Sequence, residues 1–275
     1  MPRPVSHALI TGASSGIGLA LARQLAGRGA ALTLVARDEA RLKRACTELP
    51  AGTRVHSGPA DVTQPEQLEA VFRAGQDAHG PYDLIVANAG QAEPGLFPDL
   101  PPDVFRQMME VNFFGSLHTA RLALPHFTNQ GHGSLIFVAS GAALTGLAGY
   151  SAYSPAKFAV RGLAESLRNE YAPFGIHIGL AYPPDTETPQ LAYEEARKPA
   201  CTKAITAGGG RLSAEQVAAA LVRGYDRKKF LITPGWPMFL LARWHSLIAP
   251  LLWRHFDRKV LSSKNGKNSS RSPAP

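Results

Sequence analysis

The sequence of 275 residues predicts an α/β fold built on a parallel sheet with helices on both faces. Three observations carry that expectation. Short apolar, β-rich runs alternate with segments of helical periodicity, and a glycine-rich turn separates the first run from the first helix. The composition, 45% hydrophobic and 18% charged, suits one large domain that removes most of its apolar surface from water.

The runs His7–Thr11, Ala31–Ala36, Arg54–Ser57, Leu84–Asn88, Ser134–Ser140 and His177–Tyr182 are read as strands. Leu19, Leu21, Ala22 and Leu25 give the first helix an apolar face, and Gly27 and Gly29 close it. Ser213 is the expected N-cap of a late helix, with Gln216 in the capping-box position. There is no internal repeat. Residues 1–232 are read as the main domain, 233–261 as an apolar and basic extension, and 262–275, rich in Ser, Lys, Asn and Pro, as a disordered tail.

Cys46 and Cys201 are far apart and lack metal-ligand spacing, so neither a disulfide framework nor a metal site is expected, and a cytoplasmic, reducing setting fits. No apolar run precedes the first strand, so neither a signal peptide nor an N-terminal anchor is expected. Charge is unevenly placed: residues 1–222 carry 18 basic and 19 acidic side chains, and residues 223–275 carry 11 and 2. Such a basic C-terminal region calls for an anionic partner, and its apolar neighbours favour a membrane surface over nucleic acid.

Thr11-Gly-Ala-Ser-Ser-Gly-Ile-Gly18 lies between a strand and a helix, where glycines let a diphosphate approach backbone N–H groups at the helix N-terminus. Gly12, Ser14, Ser15, Gly16, Ile17 and Gly18 are therefore candidate cofactor-binding residues. The second strand ends at Arg37, where folds that bind NAD usually place an acid for the ribose 2′-hydroxyl; arginine favours a 2′-phosphate, hence NADPH. The neighbouring Asp38 argues the other way. Arg41 is either a second phosphate contact or a solvated helix residue. Asp61, followed by Val62, is either a partner for the adenine amino group or a turn residue, and Asn88-Ala-Gly90 ends the fourth strand beside the cleft.

The candidate catalytic residues are Ser140 and, downstream, Tyr153-Ser-Pro-Ala-Lys157. An i,i+4 spacing places Tyr153 and Lys157 on one helix face, where the cation is expected to lower the phenol's pKa from its usual ~10. Such a tyrosine can protonate a carbonyl oxygen that receives hydride while Ser140 hydrogen-bonds the same oxygen. Pro155, between them, fits only near a helix start or at a slight kink.

Together the TGASSGIG turn, Asn88-Ala-Gly90, Asn112, Ser140, Tyr153 and Lys157 resemble the short-chain dehydrogenase/reductase family over about residues 5–232. The resemblance implies a Rossmann-type doubly wound sheet of about seven strands. It also implies that Asn112 supports a lysine–water proton relay, that Lys157 contacts the nicotinamide ribose, and that Thr188 reaches the nicotinamide amide. A homo-oligomer is expected as well. Within the family, Ala181-Tyr-Pro-Pro-Asp-Thr-Glu-Thr-Pro189, followed by Glu194-Glu195 and Lys198-Pro199, resembles the corresponding segment of 3-ketodihydrosphingosine reductases, with Pro184 where most relatives have glycine.

That resemblance implies NADPH-dependent reduction of a long-chain lipid ketone, 3-ketodihydrosphingosine, to dihydrosphingosine at the cytoplasmic face of a membrane. Two alternatives stand beside it: reduction of another hydrophobic ketone (a sterol, retinoid or 3-ketoacyl compound), and a non-catalytic nucleotide-sensing or membrane-binding role on the same fold. Phe230–Trp253 is rich in Leu, Phe and Trp but holds Pro234, Pro237, Arg243, His245 and Pro250, which suits an interfacial helix better than a membrane span. Packing against the domain or a second subunit is the other reading.

Overall fold

A computed structural model describes residues 4–268, with side chains described through Ser263. Nine strands are present among them: β1 (His7–Thr11), β2 (Ala31–Ala36), β3 (Val55–Pro59), β4 (Leu84–Ala87), β5 (Gly133–Val138), β6 (Ile176–Ala181), β7 (Asp185–Glu187), β8 (Arg211–Ser213) and β9 (Leu231–Ile232). Seven form one parallel sheet in the order β3-β2-β1-β4-β5-β6-β9, and β7 pairs with β8 in a small separate ribbon.

The inner strands are mostly apolar because both sheet faces are covered, whereas the edge strand β3, Val-His-Ser-Gly-Pro, is only partly buried. Ala8, Ile10, Leu84, Val86, Ile136 and Val138 point to one face, where α1 (Gly16–Ala26), α2 (Glu39–Thr47) and α9 (Ala214–Asp226) pack. Their neighbours Leu9, Ile85, Leu135 and Phe137 point to the other, against α3 (Pro65–His79), α5 (Gly115–Gln130) and α6 (Tyr153–Tyr171). This is the period-2 alternation of a strand, used twice. The short helix α4 (Pro102–Met108) leads into α5 through a π-helical turn, Met109–Phe114.

Local signals act as the sequence predicts at several ends. Gly27 caps α1 and Gly29 takes a left-handed φ of 84°. Ser213 and Gln216 form the capping box of α9. Pro155 lies in the first turn of α6, where its missing N–H is one of the donors that no helical carbonyl would receive anyway.

The chain order of β1 to β3 builds outward on one side of β1, and β4 then returns to its other side. Beyond the C-terminal ends of the strands this reversal opens the crevice in which such sheets bind ligands. After β6 the chain forms α7 (Pro189–Arg197) and α8 (Ala200–Thr206), which rise over that end of the sheet.

The C-terminal region departs from the expected layout. Leu231 and Ile232 are the seventh strand of the sheet, so the front of Phe230–Trp253 belongs to the domain. A single helix, α10 (Trp236–Asn268), follows and packs on α8, where the Lys259 ammonium donates to the Ala204 carbonyl at 2.5 Å. It runs well into the segment expected to be a disordered tail, since an established helix gains a hydrogen bond with each added residue and no proline lies between Pro250, inside the helix, and Pro273. Residues 269–275 lie outside the described part of the chain. No described helix is long and apolar enough to cross a membrane.

Candidate active site

One cavity of about 1090 Å³ occupies the crevice, larger than the ~300–1,000 Å³ that holds a drug-sized ligand. Its floor is the glycine turn. Gly12 has a φ of 68° and Gly16 one of 55°, and a Cβ on Gly12 would lie 2.8 Å from the Cα of Ala89. A Cβ on Gly16 would lie 2.8 Å from Cγ2 of Thr188, so the turn is pressed between the end of β4 and the start of α7. Ser15 caps α1 without a side-chain hydrogen bond, which leaves the N–H groups of the first turn for an anion. Ser14, Ser15 and Ile17 line the cavity with Gly12 and Gly16. Gly18 does not; its place is packing, since a Cβ there would strike the Gly12 carbonyl at 2.4 Å.

Asn88 ties this turn down, its amide donating to the carbonyls of Thr11 at 2.9 Å and Gly12 at 3.2 Å. At the far end of the cleft Arg37 and Arg41 both line the cavity, and the Arg37 guanidinium stands 4.0 Å from Asp61. Asp38 is engaged elsewhere: its carboxylate caps α2 by accepting from the Arg41 N–H at 2.9 Å. This end of the cleft thus carries net positive charge. Asp61 holds its own turn by accepting from the Thr63 N–H at 2.9 Å, and it lines the cleft with Val62.

Ser140, Tyr153 and Lys157 meet on the wall above the turn. Ser140 ends the β5 segment and caps a short turn by accepting from the Ala142 N–H at 3.2 Å. Lys157 is buried, with its ammonium donating to the Val138 carbonyl at 3.1 Å and lying 5.8 Å from the Tyr153 ring centre. The π-helical turn directs Asn112 into the same corner; its amide donates to Gln91 and Met108 carbonyls at 2.9 and 3.0 Å. Gly90 completes the corner, because a Cβ there would be 2.8 Å from Oδ1 of Asn112 and 3.2 Å from the lysine ammonium.

The electrostatics differ from the sequence expectation. Burial is the main influence on the Tyr153 phenol and pushes its pKa above the ordinary value, the Glu194 carboxylate adds to this, and the Ser140 hydroxyl offsets part of it. Burial likewise pushes Lys157 down, to about 8, against a smaller opposing pull from Glu194. Lys157 is buried and Tyr153 half-buried, and no hydrogen bond joins the ammonium to the phenol oxygen among the described residues, so desolvation outweighs the cation's attraction for phenolate.

A sequence model described as short chain dehydrogenase matches residues 6–199, well over half of the chain. The chain belongs to the short-chain dehydrogenase/reductase family. It is 39% identical over 251 residues to a 3-dehydrosphinganine reductase of Danio rerio, covering 88% of this chain and 76% of that one. Among solved structures it resembles a 3-ketoacyl-(acyl-carrier-protein) reductase from Brucella melitensis complexed with NADH, with a TM-score of 0.74 and 26% identity over 84% of this chain and 97% of the other. It also resembles an alcohol dehydrogenase from Thermococcus sibiricus complexed with 5-hydroxy-NADP, with a TM-score of 0.71 and 29% identity over 83% and 95%.

Within this family fold, three contributions to the cavity escaped sequence reasoning. Tyr150 and Glu194 form a buried hydrogen-bonded pair beside Tyr153, and Leu241, Ile248, Leu252 and Phe256 of α10 supply an apolar wall. A residue pair 44 positions apart leaves no local signal, although the i, i+7, i+11 spacing of Leu241, Ile248 and Leu252 was available as one. Neighbours of this fold are found with NADH as well as with an NADP derivative, so the choice rests on local charge at the ribose. Arg37→Asp is expected to lower the ratio of kcat/KM for NADPH over NADH, because a carboxylate repels a 2′-phosphate and accepts from a 2′-hydroxyl. Steady-state kinetics with both cofactors check this; an unchanged ratio would remove Arg37 as the discriminator.

Proposed function

We propose that this reductase converts 3-ketodihydrosphingosine to dihydrosphingosine with NADPH. The observation that carries the proposal is the union, in one cavity, of a dinucleotide cradle, the Ser140/Tyr153/Lys157 corner and an apolar wall from α10. The Danio rerio relative, a 3-dehydrosphinganine reductase, supplies the substrate. The glycine turn and the open N-terminus of α1 fit a diphosphate, and Arg37 and Arg41 fit a 2′-phosphate. The apolar wall fits a hydrocarbon tail.

Bound NADPH supplies the hydride. The chain's own groups do the rest. Ser140 donates to the ketone oxygen and fixes it beside Tyr153, which delivers its proton to that oxygen as negative charge develops there. Lys157, held by Val138, is placed to steady the phenolate left behind and to contact the nicotinamide ribose, and Asn112 and Gly90 keep its corner open for proton return. Thr188 caps α7 through the Leu191 N–H at 3.2 Å and packs on Gly16, close to where the nicotinamide end of the cradle would lie.

The exposed side of α10 carries Trp244, Leu247, Leu251 and Trp253 together with Arg243, Arg254 and Arg258. A lipid interface with anionic headgroups suits this mixture, and a substrate held in that bilayer would have a short path into a cavity lined by the helix's other side. Lys259 is turned inward, and the side chains of Lys264 and Lys267 lie outside the described residues. The free thiols Cys46 and Cys201 suit the reducing, cytoplasmic side of such a membrane. Assembly as a homo-oligomer belongs to the same proposal as a family property.

Three outcomes test these statements. With purified protein, NADPH oxidation should be much faster with 3-ketodihydrosphingosine than with a sterol, retinoid or 3-ketoacyl ketone. Tyr153→Phe should cut its turnover by roughly 10²–10⁴-fold while leaving NADPH binding intact. Preference for one of the other ketones would reassign the substrate, and near-normal turnover of the variant would remove Tyr153 as the acid. For the membrane, Leu247→Glu/Leu251→Glu should lose co-sedimentation with anionic vesicles that the natural sequence retains, more weakly, as salt rises. A natural sequence that never co-sediments would contradict the interfacial role of α10.

A further inference from the structure

The segment Glu194-Glu195…Lys198 divides its charges in an unequal way. Lys198, wholly buried, gives its ammonium to Asp185 and to Glu195, each at 2.9 Å. Glu194 leaves the same helix in another direction, into the cavity, where it accepts from the Tyr150 hydroxyl and from the Gln190 amide at 3.2 Å. Both of those donors are neutral. Glu194 is only 9% exposed, and among the described residues it has no ion pair, although Lys198 acts on it from a distance. A carboxylate withdrawn from water with neutral donors alone is an incomplete arrangement, since buried charges are ordinarily paired.

Its position is equally specific. The Tyr150 and Tyr153 rings are 5.4 Å apart, so the carboxylate lies one aromatic ring from the acid that faces the ketone. Its charge is felt at both Tyr153 and Lys157. On the same cavity, Thr145 is 4% exposed and its hydroxyl has no hydrogen-bond partner among the described residues. A carboxylate lacking a cation and a hydroxyl lacking a partner thus share a cavity whose α10 wall is apolar.

We propose that Glu194 binds a protonated amine on the carbon next to the substrate's ketone, with Tyr150 positioning the carboxylate and Thr145 offering a further polar contact to the same headgroup. This rests on the reading of the protein as a ketone reductase for an amino-ketone lipid, and it adds the group that tells such a lipid from a simple long-chain ketone. A simple ketone would seat its tail against α10 equally well but would leave Glu194 unpaired, and specificity of that kind comes from the unsatisfied partner as much as from the contact.

The test compares kcat/KM for 3-ketodihydrosphingosine with that for an amine-free 3-ketone of the same chain length, in the natural sequence and in Glu194→Gln, with NADPH affinity measured for both proteins. The natural sequence is expected to favour the amino ketone, mainly through KM. Glu194→Gln should reduce that preference about tenfold to a hundredfold, and Glu194→Asp should restore part of it. A preference unchanged in Glu194→Gln overturns the assignment. Reduction of both ketones equally well by the natural sequence also overturns it, while leaving the reductase reading in place; failure to reduce either ketone overturns both. Should Glu194→Gln not fold, as loss of NADPH binding would reveal, the natural sequence is tested with the N-methylated amino ketone, which stays cationic, and the N-acetylated one, which does not. Turnover of the first with marked loss of the second is expected, and equal kcat/KM for the two contradicts the proposal.

Discussion

Lys157 is 4% exposed, and its ammonium donates to the carbonyl of Val138 at the end of the inner strand β5. A lysine in that position is costly to desolvate, and its pKa falls accordingly, to about 8. Everything around it serves to make the cost bearable. The first turn of α6 aims Tyr153 and Lys157 at one wall, the π-helical turn brings Asn112 to the same corner, and Gly90 leaves out the side chain that would crowd the ammonium. If Lys157 moved out to water, the geometry of the phenol and the hydroxyl of Ser140 would no longer be fixed from the sheet.

The sheet also decides where the corner stands relative to the nucleotide cradle. Because β4 returns to the opposite side of β1 from β2, the glycine turn after β1 and the segment after β5 open into one crevice. That crevice has distinct ends. Arg37 and Arg41 lie at one end, Glu194 and Tyr150 form a polar patch beside Tyr153, and α10 is an apolar flank. A helix that is half cavity wall and half exposed Trp, Leu and Arg links the site to the surface, which explains why the C-terminal region reads as amphipathic without reading as a membrane span.

Much of this was legible in the sequence because it is local. The six long strands announce themselves by β-rich apolar runs, and the caps at Gly27 and Ser213 by residue type alone. The strands β7, β8 and β9 were not legible: two or three residues are too few to show alternation, and β9 exists because β6 offers it an edge. The approach of Tyr153 and Lys157 followed from i,i+4 spacing, whereas the direction of their pKa shifts did not, since burial is a property of the assembled cleft. Asp38 shows the same limit at the cofactor end. Its neighbour Arg37 made its role ambiguous on paper, and the cap it forms on α2 resolves it.

We propose that in this cavity a hydride passes from NADPH to the ketone carbon of an amino-ketone lipid. It is tested most directly by supplying NADPH deuterated at the transferable position and following the lipid by mass spectrometry. Dihydrosphingosine should appear with one deuterium on the former carbonyl carbon, in step with the cofactor oxidised. NADPH oxidation without deuterium in the lipid, or an unaltered ketone in the presence of bound cofactor, would contradict it.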